Sequence, residues 1–106
     1  HHNPQGPLEG KKPTGLQDAD ALFSILSSHE KVKGYIHGHV HNWGLSKHAG
    51  TGLSILSLPP TGYTFNKERP SGWVIARASS KQIEFELRSL NPAHDEHRQK
   101  HVIEFA

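Results

Sequence analysis

Lys33-Gly34-Tyr35-Ile36-His37-Gly38-His39-Val40-His41 is the stretch that decides how this chain is read. Lys33 to His37 has the character of a short strand, and Gly38 permits a sharp departure from it. Three histidines stand at alternate positions around that glycine. Neutral imidazole is a common ligand for Zn, Mn and Fe, because one ring nitrogen binds metal while the other is held by a hydrogen-bond partner. In an extended chain, residues two apart point to the same face, so His39 and His41 are expected to converge on one site.

Upstream of this stretch, residues 3–15 carry three prolines and three glycines and read as loop. Leu16, Ala19, Leu22, Phe23 and Leu26 then recur at helical spacing, with Asp18 and Asp20 favouring the N-terminal end, which predicts a helix over 16–29. His29 falls at its end, where imidazolium suits the negative end of the macrodipole. Downstream, Leu45 to Lys47 and Leu53 to Leu58 read as strands joined by the turn Ala49-Gly50-Thr51-Gly52, and Pro59-Pro60-Thr61-Gly62 stops the second. Trp73 to Ala78 and Gln82 to Leu90 form a hairpin across Ser79-Ser80-Lys81. In its second strand Ile83, Phe85 and Leu87 alternate with Glu84, Glu86 and Arg88, which predicts one buried face and one wet face. Asn91-Pro92 ends that strand. Beyond it runs a polar tail in which Val102 to Phe105 suggests an edge strand. His94, His97 and His101 are spaced by three and four, as on one face of a solvated helix end. His48 has no histidine neighbour and receives no role.

At 106 residues the chain is one small domain, and only 33% of it is hydrophobic, which suggests a loop-rich piece with a thin core. Its formal charge of +2 comes with scattered lysines, so the basic pI of about 9.1 is weak evidence for nucleic-acid binding. Without cysteine it has neither disulfides nor thiolate metal ligands. No apolar run approaches the roughly 20 residues that span a bilayer, and no membrane partner is expected. The first residues lack the charged and apolar regions of a signal peptide, so a cytoplasmic location is the default expectation.

His1-His2 alone is what a purification tag would leave. The alternating histidines alone fit a strand with hydrogen-bonded imidazoles. They also fit a cupin barrel, but Gly44 and Leu45 stand where a cupin would place a glutamate. An amidohydrolase also uses His-x-His, but its barrel is too large for this chain. Gly38-His39-Val40-His41 resembles the last motif, Gly-His-x-His, of the calcineurin-like metallophosphoesterases. His1-His2-Asn3-Pro4, a Pro/Gly loop, a helix and a strand precede it in the order found in those enzymes, and the strands that follow resemble their second sheet.

The resemblance covers residues 1–90, with 91–106 left as a polar, histidine-rich tail. It implies an α/β fold: the C-terminal part of a metallophosphoesterase-type αββα sandwich, mostly antiparallel after one helix. The implied activity is hydrolysis of a phosphomonoester or phosphodiester by a hydroxide bridging two divalent transition-metal ions, Mn, Fe, Zn or Ni. His1 and His39 match ligands of the second ion and His41 a ligand of the first. His2, His37, Asn42 and Trp43 are placed behind the ligands or facing substrate. The family's Asp-x-His, Gly-Asp-x-x-Asp and Gly-Asn-His motifs do not occur in the right place, and Asp95-Glu96-His97 comes too late to serve as one. The catalytic residues and the bridging carboxylate are therefore expected upstream of residue 1, and the piece alone is expected to be inactive. The partners implied are a small phosphoester substrate and the missing N-terminal half of the same domain. The alternative is a non-enzymatic module binding transition metal through His37, His39, His41 and the tail histidines.

Overall fold

Leu53 to Leu58 is apolar on both faces because it becomes the centre of a sheet. The computed structural model describes residues 1–4 and 15–105, so residues 5–14 of the expected loop lie outside the described residues. Strands β1 (Gly34–His37), β2 (Gly44–Lys47) and β3 (Ser54–Ser57) lie in the order β1-β3-β2. β1 runs parallel to β3, with Tyr35 beside Ile55 and His37 beside Ser57, while β2 returns antiparallel. The turn between β2 and β3 is closed by His48 N–H to the Leu53 carbonyl at 2.9 Å, and Gly52 takes φ of +72°, which glycine adopts without a Cβ clash.

Successive residues of β3 serve opposite cores. Leu53 and Ile55 pack with Phe23 of helix α1 (Ala19–Ser27), joined at the margin by Leu26, Val32 and Tyr35. Leu56 packs the other way, with Trp43, Phe85, Leu87 and Ile103. Phe23, Leu56 and Leu87 are fully buried, and each contributes about 1.5–3 kcal/mol of hydrophobic stabilisation.

Phe85, Leu87 and Ile103 come from a second sheet of β4 (Gly72–Ala78), β5 (Gln82–Ser89) and β6 (Lys100–Glu104), antiparallel in the order β4-β5-β6. At the start of β4 a Cβ on Gly72 would lie 2.0 Å from the Arg88 carbonyl oxygen, so only glycine fits that crossing. The layers run helix, sheet, sheet. This is an α/β arrangement of one helix with two small, largely antiparallel sheets, consistent with part of a sandwich.

Several expectations are corrected. The helix is shorter than 16–29. Its first turn is lost because Leu16 N–H bonds the Asn3 carbonyl at 2.9 Å and Asp18 makes no side-chain cap. Its end is set by Ser27 and Ser28, whose hydroxyls take the Ser24 and Ile25 carbonyls at 3.1 and 2.7 Å. The tail is no helix end. Residues 91–99 are turns, Arg98 takes φ of +68°, and the chain then enters β6, which buries Ile103. There His94 donates to the Glu68 carbonyl and His97 Nδ1 accepts the Ser89 N–H. His101 packs on Trp43 with ring centres 4.6 Å apart, and burial there outweighs the charge of Glu96 to hold its pKa below the ordinary 6.5.

The wet face of β5 is not wet at its centre. Glu86 is only 3% exposed, because Arg77, Arg88 and Arg98 close over it. Arg77 donates to Oε1 at 3.0 Å, and Arg88 Nε lies 2.6 Å from Oε2 in an ion pair off the line of a hydrogen bond. Burial pushes this carboxyl up, but the Arg77 hydrogen bond and the charges of Arg88, Arg77 and Arg98 win and hold it below its ordinary value.

Candidate functional site

Because β1 and β3 are parallel, His37 and Ser57 end side by side, and the loops that leave them start at the same edge of the sheet. Carboxyl ends of parallel strands are where ligands are usually met in open α/β sheets. Residues 38–43 form one loop there and residues 58–71 another. The opening residues of the chain join them: the Tyr35 hydroxyl donates to the His2 carbonyl at 2.8 Å, and Asn3 is buried.

This brings His1 against His39. His1 Nε2 lies 2.9 Å from His39 Nδ1, with ring centres 4.7 Å apart and edge-on, across 38 residues of sequence. Both side chains reach solvent. The backbone that delivers His39 is not the extended chain expected. β1 stops at His37, Val40 N–H bonds the Gly38 carbonyl at 2.8 Å, and His39 sits between them at φ of +69° in a tight γ-turn. His41 follows at +54°. Left-handed histidines cost of order 1–3 kcal/mol each, and such strain gathers at functional sites. The alternation argument for His39 and His41 therefore fails: a turn, not a strand, sets where their rings lie.

His41 points toward the second loop. Its Nδ1 donates to the Tyr63 carbonyl at 2.7 Å, and its ring stacks on Phe65 at 4.4 Å with Tyr63 edge-on at 6.3 Å. Since a carbonyl only accepts, the proton is on Nδ1 and the neutral ring keeps its lone pair on Nε2. His37 shows the same pattern in a buried setting. Its Nδ1 donates to the Gly38 carbonyl at 2.9 Å, while the ring is 2% exposed and Nε2 has no hydrogen-bond partner among the described residues. The Ser57 hydroxyl beside it is likewise buried and without a partner among them. Burial lowers the His37 pKa, and the hydrogen bond to Gly38 opposes it.

The remaining site candidates fall elsewhere. His2 is exposed and engages Tyr35 through its backbone only. Asn42 is half-buried in the loop. Trp43 lies in the core between the sheets, with its indole N–H on Gln99 Oε1 at 2.7 Å, so it offers no open face. His48 was given no role, but it ties α1 to the β2–β3 turn. Its ring stacks on Phe23 at 4.4 Å and its Nε2 meets Asp20 at 2.9 Å, and His48 and Asp20 line a cavity of about 600 Å³ with Ser24, Lys47 and Thr51.

As a metal centre the arrangement is partial. His1 and His39 turn nitrogens toward one another, and His41 Nε2 has no hydrogen-bond partner among the described residues, which suits imidazole ligation. Among the described residues, however, no group of three His, Cys, Asp or Glu side chains converges, so the carboxylates of a full centre are not there. Ser57 escaped the sequence reading because its neighbour His37 is 20 positions away and the pairing is parallel, which no local pattern announces.

No protein-family model matches the chain, and no solved structure does. One curated protein is similar, a "Probable cyclic nucleotide phosphodiesterase" from Vesicomyosocius okutanii subsp. Calyptogena okutanii (strain HA). The two are 30% identical over 74 residues, which is 68% of this chain and 31% of that protein. The chain thus spans about a third of that relative's length.

Proposed function

We propose that this chain contributes the histidine side of a metal-dependent phosphoesterase that hydrolyses a phosphodiester or phosphomonoester. The observation that carries the reading is the 2.9 Å approach of His1 to His39 across 38 residues of sequence. A cyclic phosphodiester is the substrate class that the similar protein's name suggests.

In this reading His1 and His39 hold one divalent ion of the Mn, Fe, Zn or Ni group, and His41 belongs to a second. When bound, such ions activate water for attack and offset charge on the phosphoryl oxygens. This chain's own residues do the positioning. The Tyr63 carbonyl fixes the tautomer and direction of the His41 ring. The γ-turn at His39 swings that ring out of the sheet toward His1. Trp43 anchors the end of the loop in the core.

The carboxylates are assigned to polypeptide upstream of residue 1, the N-terminal half of the same domain. Two open edges suit its arrival. β1 and β4 are both edge strands, and β1 carries no acidic or basic residue other than histidine. Ile36 of β1 and Trp73 of β4 are both about half exposed and line one cavity of about 350 Å³ with Leu58, Val74 and Phe85. Natural edges of that kind are usually covered or blunted by charge.

The test is metal content and turnover in the full-length protein. Two ions per chain, activity on cyclic nucleotides lost on chelation and restored by Mn, and loss of at least one ion in His39→Ala are expected. A full-length protein that binds no transition metal, or hydrolyses phosphoesters equally well after chelation, would sink the reading.

A further inference from the structure

Two large aromatic side chains stand in solvent beside the candidate site. Tyr63 is 66% exposed and Phe65 70%, with ring centres 5.3 Å apart and edge-on. Both belong to the loop that leaves β3, and both are bound to His41: Tyr63 through its carbonyl and Phe65 through its ring. The loop that carries them is tied down along its length. Gly72 N–H bonds the Pro60 carbonyl at 2.8 Å, Asn66 caps Glu68 N–H at 2.9 Å, and His94 holds the Glu68 carbonyl at 2.8 Å. Rings on such a loop are presented, not left to swing.

From this geometry we infer that Tyr63 and Phe65 are a stacking platform for the base of a nucleotide whose phosphate lies at the histidines. The inference rests on the phosphoesterase reading and names the half of the substrate that the metal does not touch. A nucleoside carries its base one sugar away from its phosphate, and the rings flank His41 directly. Every base has a π-face, so stacking on Tyr and Phe binds nucleotides without selecting among bases. Trp43, the other aromatic of this region, is sealed in the core and leaves this task to the loop. The specificity that follows is for nucleotides over base-free phosphoesters, with little preference among bases.

The test compares adenosine 5′-monophosphate with ribose 5-phosphate by titration calorimetry on the metal-loaded, full-length protein. The two ligands differ only in the base. Wild type is expected to bind the nucleotide roughly tenfold to hundredfold more tightly. The double variant Tyr63→Leu, Phe65→Leu keeps bulk and removes the π-faces, and its affinity ratio is expected to fall close to one. Phe65→Trp alone is expected to keep or raise the ratio. Upfield shifts of the adenine protons should appear with wild type and vanish with the double variant. The inference is overturned if the double variant keeps the wild-type ratio, or if wild type binds both ligands equally; either result leaves the phosphoesterase reading standing. If wild type binds neither ligand, that reading has failed and the platform falls with it.

Discussion

Two buried polar clusters sit on the two sheets, and the chain treats them differently. On β5, Glu86 is closed in by Arg77, Arg88 and Arg98, so a buried charge is compensated within these residues. At the ends of β1 and β3, His37 Nε2 and the Ser57 hydroxyl are just as buried and meet no partner among the described residues. A buried polar atom without a hydrogen bond costs of order 1–3 kcal/mol, so folds rarely leave two side by side without reason. The contrast is between a buried charge met by opposite charges and buried polar atoms that the described residues leave unmet. On the second sheet Glu86 Oε2 and Arg88 Nε also lack a hydrogen bond among the described residues, but they face each other as opposite charges, whereas His37 Nε2 and the Ser57 hydroxyl have no such compensation there.

The largest effect should come from separating these roles. On the proposed function, His41→Ala in the full-length protein is expected to lower metal-dependent phosphoesterase activity by about a thousandfold, since a proposed ligand and its fixed geometry are both lost. Its melting temperature should fall by no more than a few degrees, because the ring packs on the half-open loop. Glu86→Ala should do the reverse. It strands Arg88 and Arg77 over a void and should lower the melting temperature by roughly 10 °C, with metal affinity unchanged. Thermal melts and metal titrations on both variants check the pair. If Glu86→Ala stripped the metal, the two clusters would not be independent and the comparison would collapse.

Acid should destabilise the second sheet, which carries both His101 and Glu86, in two stages. His101 titrates below its ordinary 6.5 in the folded chain, so folding favours its neutral form. The stability it confers is present in full above about that value and is lost as pH falls toward the lowered one. The Glu86 carboxyl is also held below its ordinary 4.5. Its contribution is intact above about 4.5 and disappears only as pH falls through the folded value. Denaturant melts from pH 7.5 to 3 should therefore lose stability in two stages. His101→Phe should remove part of the first, which His37 shares because burial lowers its pKa as well, and Glu86→Gln the second. A single stage unaffected by Glu86→Gln would mean that the arginines do not bias that carboxyl.

Much of this was legible in the chain. The hairpin of β4 and β5 follows from strict alternation around Phe85 and Leu87, and both lie in the core. The β2–β3 turn follows from its glycines. What local pattern does not carry is partnership at a distance. Glu86 reads as a solvent residue because Arg98, which helps close it in, lies beyond the strand in the tail. His48 reads as isolated because Asp20 is 28 positions back. The convergence of His1 and His39 follows from no local pattern but only from the order of the motifs that hold them, and the turn that produces it is not the extended geometry that alternation implies.

The smallest effect is the most discriminating. Ser57→Ala removes a hydroxyl that is buried beside His37 with no partner among the described residues. In the 106-residue chain, deleting it relieves a desolvation cost and leaves only a small cavity. Stability in urea should therefore hold or rise, by up to about 1 kcal/mol. In the full-length protein, where the upstream half is proposed to close over these strand ends, the hydroxyl gains a hydrogen-bond partner. The same substitution should then cost about 1 kcal/mol. The sign should change between the two proteins, whereas Leu87→Ala, far from that edge in the core between the sheets, should cost about 2–5 kcal/mol in both. Equal losses for Ser57→Ala in the two proteins would show that the hydroxyl is already satisfied in the shorter chain, and the strand ends would then be as finished as the cage around Glu86.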